Sequence, residues 1–339
     1  MILVLNCGSQ SIKWKLFDDK SKLAKKGESK VLDNNDHERK IEEELKKIST
    51  KKISLIGHRV VHGGQKFKKP TKITESVLRE LEELNYLAPL HNPYNILGIK
   101  ASQKFFSDIP NIVVFDTEFF ADLPEKAFTY ALPEDIRNKF GYRRFGFHGI
   151  SHEYVANEGA KKINKPFDKL KIITCHLGGG ASIVAIKNGK AIDTSMGFSP
   201  TEGLVMMTRS GDVDNEIILE MAKNYGVEET KKIINLKSGF QGICQSGDML
   251  EVLDKIKNGD KNAKLALDIF TYQIKKYIGA YFAVLGGCDL LVFTGAIGFG
   301  SGKIRSMITK DLSILIKTKI LAIKTDEELA IGQKIIKTL

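Results

Sequence analysis

Arginine is the scarce cation of this sequence, with eight among 52 basic residues. Four of them, Arg59, Arg143, Arg144 and Arg209, fall in segments rich in Gly, His or Ser. A planar guanidinium fork matches phosphate and carboxylate oxygens better than a lysine point charge does. The segment "GHRVVHGG" (57–64) sets Arg59 and His62 around Val60 and Val61. As a strand it puts Arg59 and Val61 on one face and Val60 and His62 on the other. That offers a cation for the head of a short carboxylic acid and a valine for its tail. An edge strand with an exposed arginine is the plainer alternative.

Further chemistry clusters nearby. "YRRFGFHGISH" (142–152) sets His148 and His152 at i, i+4, a metal-like spacing on a helix. Gly149 between them and the lack of a nearby third ligand argue against zinc. A loop whose Phe147 closes a pocket while His148 donates a hydrogen bond fits better. "FDTEFF" puts Asp116 at a strand end, where a functional acid or a helix cap would sit. "DTSMGFSPTEGLVMMTRSGDVD" (193–214) is turn-rich and carries Arg209 among Thr208, Ser210, Gly211 and Asp212.

Two loops of small residues complete the set. Asn6-Cys7-Gly8-Ser9-Gln10-Ser11 follows an apolar strand and precedes Lys13. It is either a nest of backbone N–H groups for an anion or an ordinary hairpin turn. It lacks the spacing of a P-loop. "HLGGGAS" (176–182) has three consecutive glycines, which let a ligand approach the backbone closely or make a tight turn. Anion loops, arginines, a histidine and an aspartate, with no nucleophile–base pair, suit phosphoryl transfer. That reaction needs positioning and charge stabilisation more than covalent help. A carboxylate acceptor fits too. Already ionised, it needs no general base, only cations to offset repulsion from the phosphate.

The elements that must hold these residues recur along the chain. "ILVLNCGSQSIKWKLFD" (2–18) is echoed by "KIITCHLGGGASIVAIKNGKAID" (171–193), with Gly8 against Gly178. "IPNIVVFDTEFF" (109–120) is echoed by "CDLLVFTGAIGFG" (288–300). Repetition at about half the chain length predicts two similar α/β halves with a cleft between them, chance likeness of short strand-turn patterns being the alternative. Helical periodicity covers 36–48, 76–87, 95–106, 152–163, 214–224, 228–234, 263–285 and 302–316.

Composition excludes several classes. The chain of 339 residues is 42% apolar, in the range of a folded globular protein. No apolar run approaches the ~18 residues of a membrane helix, and no secretory signal core opens the chain, so the cytoplasm is the expected location. The net charge of +11 is nearly all lysine interleaved with acids. That is a solvated surface rather than a nucleic-acid stripe, so neither nucleic acid nor membrane is an expected partner. Cys7, Cys175, Cys244 and Cys288 lack metal-ligand spacing and read as reduced thiols.

The strings "NCGSQSIK", "GHRVVHGG", "APLHNPYN", "FDTEFF", "RRFGFHGISH", "HLGGGAS", "DTSMGFSPTEGL", "TRSGD", "FTGAIG" and "TDEEL" resemble those of the acetate kinase family in order and cover nearly the whole chain. That family belongs to the superfamily of sugar kinases, actin and heat-shock ATPases. The resemblance implies a duplicated actin-like (ribonuclease H-like) α/β fold. Its expected domains are 1–147, with a helix 328–339 packing back onto it, and 148–327, carrying the nucleotide loops. It implies reversible in-line transfer from ATP to acetate, giving acetyl phosphate and ADP, with Mg2+ or Mn2+, in a homodimer.

By that resemblance Arg59 and Arg209 hold the carboxylate and the moving phosphoryl group, which His148 hydrogen-bonds. Asp116 is the catalytic acid, acting by position. Val61, Leu90, Phe147 and Pro200 form the acetate methyl pocket. Asn6 and a C-terminal glutamate, Glu327 in preference to Glu328, contact the metal. Ser9, Ser11 and Lys13 line the phosphate end, and His91 and His176 steady the site. His176, Leu177, Gly178, Gly179 and Gly180 contact nucleotide phosphates. Asp248, Met249 and Leu250, with Ala296, Ile297, Gly298, Phe299 and Gly300, correspond to the rest of the nucleotide site.

Departures from the family pattern gather on the nucleotide side. Gly179 stands where Asn is common, Leu250 where an arginine is, and Phe299-Gly300 where Glu-Asn is. Gln10, Phe120 and Met207 replace a serine, a histidine and a glycine. The chain is also shorter after residue 18 and around 301–320. Two donors follow as alternatives: ATP with looser base recognition, or pyrophosphate. Propionate is an alternative acceptor, since one methylene shifts binding by only ~1–3 kcal/mol. A non-catalytic actin-like protein is the reading from another class. Intact Arg59, Asp116, His148 and Arg209 argue against it.

Overall fold

A computed structural model describes residues 1–9, 11–31, 36–48 and 53–338. Gln10, one of the departures noted above, and Leu339, the last residue of the expected 328–339 helix, lie outside the described residues. The chain divides into two compact units. The first comprises Met1–Ala121, Phe147–Tyr154 and Asp326–Leu339, the second Asp122–Gly146 and Val155–Thr325.

In the first unit, β1 (Ile2–Cys7), β2 (Ser11–Phe17), β3 (Leu23–Lys30), β4 (Leu55–Val60), β5 (Thr71–Lys72) and β6 (Asn111–Phe115) form one sheet. Its order is β3-β2-β1-β4-β6-β5. β1 runs antiparallel to β2 and parallel to β4, which is parallel to β6. Every residue of β1 is buried, as a strand covered on both faces requires. Leu3, Leu5 and Trp14 pack with Ile41 and Leu45 of the helix His37–Lys46. Ile2 and Val4 pack with Ile331 and Ile335 of the C-terminal helix Glu327–Ile336. β2 instead alternates: Ile12, Trp14 and Leu16 face the core, while Ser11, Lys13 and Lys15 are half-buried on the other side.

A polar chain lies under β4 and β6. His58 Nε2 is 2.6 Å from Asn111 Oδ1, which also accepts from Ser102 Oγ at 3.0 Å. Burial pulls the imidazole pKa from 6.5 down to about 4. As pH falls from 6.5 to 4, unfolded chains take up a proton that the folded unit refuses. The stability this neutral histidine supports is complete above pH 6.5, and about 3 kcal/mol is lost across that window. Urea midpoints from pH 7 to 4.5 should show this slope, and His58→Gln should flatten it.

In the second unit, β7 (Lys171–Leu177), β8 (Ala181–Lys187), β9 (Lys190–Thr194), β10 (Leu290–Thr294) and β11 (Lys319–Ala322) form a sheet of order β11-β10-β7-β8-β9. β7 is antiparallel to β8 and parallel to β10, and β10 is parallel to β11. Read from β9, this repeats the path β3-β2-β1-β4-β6. The hairpin echo is therefore real at the level of topology. The second echo was misassigned: β10 takes the place of β4, and it is β11 that matches β6. A short buried strand ending in Phe and a polar loop is what any parallel core strand looks like, so pattern alone could not choose between them.

The 25-residue helix Lys261–Leu285 buries Leu267, Phe270, Ile274 and Ile278. The helix expected over 302–316 ends at Thr309. Gly239–Cys244, Met249–Lys257 and Gly295–Gly300 are helices in stretches outside the expected helical periodicity. Elements this short owe their form to tertiary packing and caps rather than to propensity. Among the described residues no helix is long and apolar enough to cross a membrane. All four cysteines are buried and form no disulfide.

Candidate active site

Parallel pairing brings the C-terminal ends of β1, β4 and β6 side by side, and each end delivers one polar side chain. Arg59 on β4 forks onto Asp116, just past β6: Nε lies 3.1 and 3.2 Å from the two carboxylate oxygens, and Nη2 lies 2.6 Å from Oδ2. Its Nη1 reaches Glu327 Oε2 at 3.2 Å and Asn6 Oδ1 at 3.5 Å. Burial alone would lower the arginine pKa, but Asp116 and Glu327 outweigh it and hold the guanidinium protonated. Burial holds the Asp116 carboxyl above its usual range, with Arg59 pulling against that rise.

The C-terminal helix enters this cluster with three consecutive acids. Glu327 meets Arg59, but Asn6 is joined to its neighbour: Asn6 Nδ2 donates to Glu328 Oε1 at 3.0 Å. Lys15 Nζ binds Asp326 Oδ1 at 2.6 Å and Glu328 Oε2 at 3.3 Å. Lys15 and Asp326 were not among the expected residues, whereas Glu328 stood second to Glu327 as the partner of Asn6. The period of two on β2 already put Lys15 on the face of Ser11 and Lys13, so that signal was present. Local spacing marks no contact 322 residues long; the family resemblance alone set Asn6 with a C-terminal glutamate.

The strand reading of "GHRVVHGG" needs correction, because β4 stops at Val60. Val61 and His62 lie beyond it, held by side chains of the helix Asn92–Phe105. Val61 N–H donates to Asn95 Oδ1 at 3.1 Å, and His62 N–H to Asn92 Oδ1 at 3.0 Å. Asn95 Nδ2 in turn donates to the Cys7 carbonyl at 2.6 Å, tying the first small-residue loop to Val61. Val61 and Phe147 are buried, and Phe147 packs edge-on to His62 at 5.4 Å between centroids. Leu90 is 47% exposed, and His91 caps the Asn92–Phe105 helix by position. In the first loop Gly8 N–H donates to the Ser11 carbonyl at 2.8 Å, closing the hairpin beside half-buried Ser9. Lys13 pairs with Glu28 on β3 at 3.3 Å.

His148 precedes the helix Gly149–Lys162 with φ of 57°, a left-handed conformation uncommon for a residue with a side chain. Backbone outliers of this kind gather at functional sites. His152 is fully buried one turn on, its ring centroid 6.5 Å from that of His148. Among the described residues no group of three His, Cys, Asp or Glu could hold a metal. Gly149 N–H donates to the Asp116 carbonyl at 3.0 Å. A β-carbon at Gly149 would sit 2.2 Å from that oxygen, so the helix start is pressed against the backbone of Asp116. Gly149→Ala should therefore displace Asp116 or His148, lowering turnover at least tenfold and stability by ~2 kcal/mol. Steady-state kinetics and a urea melt check both.

The second unit gathers the other expected residues. Gly178 N–H donates to the Gly180 carbonyl at 3.0 Å in the turn between β7 and β8. None of Gly178, Gly179 and Gly180 has positive φ, and Gly179 is exposed with open space where a β-carbon would lie. Neither backbone conformation nor space demands glycine at Gly178 or Gly179 for the turn itself. Gly179 accepts from Met207 N–H at 3.3 Å, which sets the 206–209 segment beside it. Gly295, at φ 78°, packs on the backbone of Leu177 and starts the helix that holds Ala296, Ile297, Gly298, Phe299 and Gly300. Half-buried His176 and buried Leu177 end β7. Asp248 spends its carboxylate capping the helix Met249–Lys257, accepting from Leu250 and Glu251 N–H at 2.7 and 3.1 Å. Met249 is buried and Leu250 78% exposed.

The remaining arginines separate by their partners. Arg143 lies over the ring of Phe128 at 3.9 Å. Arg144 pairs with Glu202 at 2.6 Å, and Tyr130 hydrogen-bonds the other oxygen of that carboxylate. With Asp212 holding Gly203 N–H at 2.7 Å, these contacts stitch down the loop that carries Pro200 and Arg209. Among the described residues Arg209 hydrogen-bonds neutral groups, the Pro200 carbonyl at 3.2 Å and Met206 Sδ at 3.7 Å. Among the described residues no carboxylate pairs with it, and burial lowers its pKa.

Two units of one strand order, each with a hairpin loop of small residues, define a protein of the duplicated actin-like α/β class. The acetokinase family matches residues 22–337, and the chain belongs to that family. It is 42% identical over 388 aligned positions to the acetate kinase of Halothermothrix orenii, with 98% of each chain covered. Among solved structures, it is similar to the acetate kinase of Porphyromonas gingivalis (TM-score 0.88, 38% identity, 98% of each chain). It is equally similar to a propionate kinase of Francisella tularensis (TM-score 0.90, 37% identity, 98% of each chain).

Proposed function

We propose that the protein is an acetate kinase that moves the terminal phosphoryl group of ATP reversibly and in line onto acetate, giving acetyl phosphate and ADP. The observation that carries this reading is the contrast between two half-buried arginines. Arg59 is already neutralised by Asp116 and Glu327, whereas Arg209 is a half-buried cation with no carboxylate paired to it among the described residues. A desolvated charge of that kind is costly unless an anion arrives. An anionic substrate supplies what the fold leaves out, and phosphoryl transfer needs such fixed charge most in its transition state.

On this reading Arg59 and Arg209 hold the carboxylate and the moving phosphoryl group, and His148 hydrogen-bonds that group. Asp116 orients Arg59 without taking a proton, since the acceptor is already ionised. Val61, Phe147, Leu90 and Pro200 enclose the methyl group. The turn His176–Gly180 and the segment 295–300 take the nucleotide. Mg2+ fits the donor set: Asn6 Oδ1, Glu327 Oε2 and Asp116 Oδ2 are hard oxygens already gathered on one cation, the Arg59 guanidinium. Asn6 and Glu327 would hold the ion, which when bound offsets charge on the phosphate oxygens.

A hydroxylamine trap for acyl phosphate tests the proposal, run with acetate, propionate and butyrate against ATP, GTP and pyrophosphate. Acetate with ATP should give the largest kcat/KM. No acyl phosphate from any pair would overturn it.

A further inference from the structure

A second charge cluster lies in the first unit, outside the groups assigned above. Lys334 Nζ is 2.8 Å from Glu118 Oε1 and 2.6 Å from Glu153 Oε2. All three side chains are largely withdrawn from solvent, at 22%, 11% and 29% exposure. The two carboxylates drive the ammonium pKa up against the burial that would lower it.

The partners are notable for what else their segments carry. Glu118 stands two residues after Asp116, in the short turn that follows β6. Glu153 lies five residues after His148, in the helix whose first residue, Gly149, is pressed on the Asp116 carbonyl. Lys334 follows Glu327 by seven residues in the C-terminal helix, two turns along the same face. Each arm of the triad is thus anchored on a segment that ends in a residue assigned to the reaction.

For stability alone this is a poor device. Desolvating three charges costs about what their attraction returns, and apolar side chains of similar size would serve as well. A triad does set geometry, because one ammonium satisfies two carboxylates only at one separation. We propose that Lys334 is a positioning residue for phosphoryl transfer: its ammonium, shared between Glu118 and Glu153, locks the segments carrying Asp116, His148 and Glu327 into one arrangement. This rests on the assignment of those three residues to the reaction.

The test is kinetic, on the full-length protein with acetate, ATP and Mg2+ in the hydroxylamine trap. Lys334→Met keeps the length of the side chain and removes its charge. It should lower kcat roughly 10- to 100-fold, the cost of displacing reacting groups by about an ångström, with KM for ATP within about twofold of wild type. Lys334→Arg, which can still bridge both acids, should recover most of kcat. Lys264→Met, which breaks an exposed ion pair with Asp268, should change nothing. If Lys334→Met does not fold, its combination with Glu118→Gln, which restores the local charge count, must show the same loss of kcat. The proposal is overturned if kcat of the folded variant stays within twofold of wild type, or if Arg fails to rescue it. Absence of acyl phosphate from the wild type would instead overturn the functional reading on which it rests.

Discussion

Arg209→Met is expected to reduce kcat for acetyl phosphate formation by 10³-fold or more while leaving thermal stability equal to wild type or higher. The two effects have one origin. Arg209 is half-buried against the Pro200 carbonyl and the Met206 thioether, with no acid among the described residues to balance it. The folded protein bears that desolvation cost, and methionine removes it while filling most of the same volume. On the proposed reading the same unpaired charge meets the oxygens of the transferring group in the transition state, where one arginine is worth 10³–10⁵ in rate. Trap kinetics together with a melting curve decide the matter. A variant with normal kcat would remove Arg209 from the site. One that lost activity only through unfolding would show that its charge is satisfied in the fold after all.

Asp116→Asn is expected to lose both properties. The carboxylate takes two donors from Arg59, at 3.1 and 2.6 Å, and is almost fully buried. Asparagine keeps the shape but leaves the guanidinium facing a neutral amide, with Glu327 at 3.2 Å as its remaining acid. Truncating one partner of a buried pair costs 3–5 kcal/mol, and Glu327 should hold the loss near the lower end, about 3 kcal/mol. Turnover should fall ~10³-fold, because the head group that aligns the carboxylate is no longer fixed. Denaturant melts and trap kinetics on one preparation measure the pair. Wild-type stability with lost turnover would mean that Arg59 has found another counterion. Opposite signs of the stability change at Arg209 and Asp116 are the signature of one arginine waiting for an anion and one already holding its own.

Much of the candidate site's chemistry was legible in the sequence. Arg59 and Arg209 among small residues pointed to anions, and with His148 and Asp116 to phosphoryl transfer, while the hairpin echo pointed to duplication. The strand order confirms the duplication and moves one of its correspondences from β6 to β4. Short-range signals carried these readings: a period of two, small residues at turns, and a scarce cation among glycines. They failed where a local rule was extended too far, as at Val61, where the alternation of β4 ends one residue sooner.

What the sequence by itself determined was therefore the inventory and its chemistry: which groups carry charge, which strands are buried, and that two halves share one plan. Only the tertiary structure decided which charges are already satisfied. Arg59 and Arg209 look alike in sequence, each an arginine among small residues. Their difference comes from Glu327, 268 positions beyond Arg59, and from the lack of any acid near Arg209 among the described residues. Lys334 looks like one of many surface lysines until the C-terminal helix folds back onto the first sheet. Charge balance depends on separation in space, and only the fold fixes which distant segments meet.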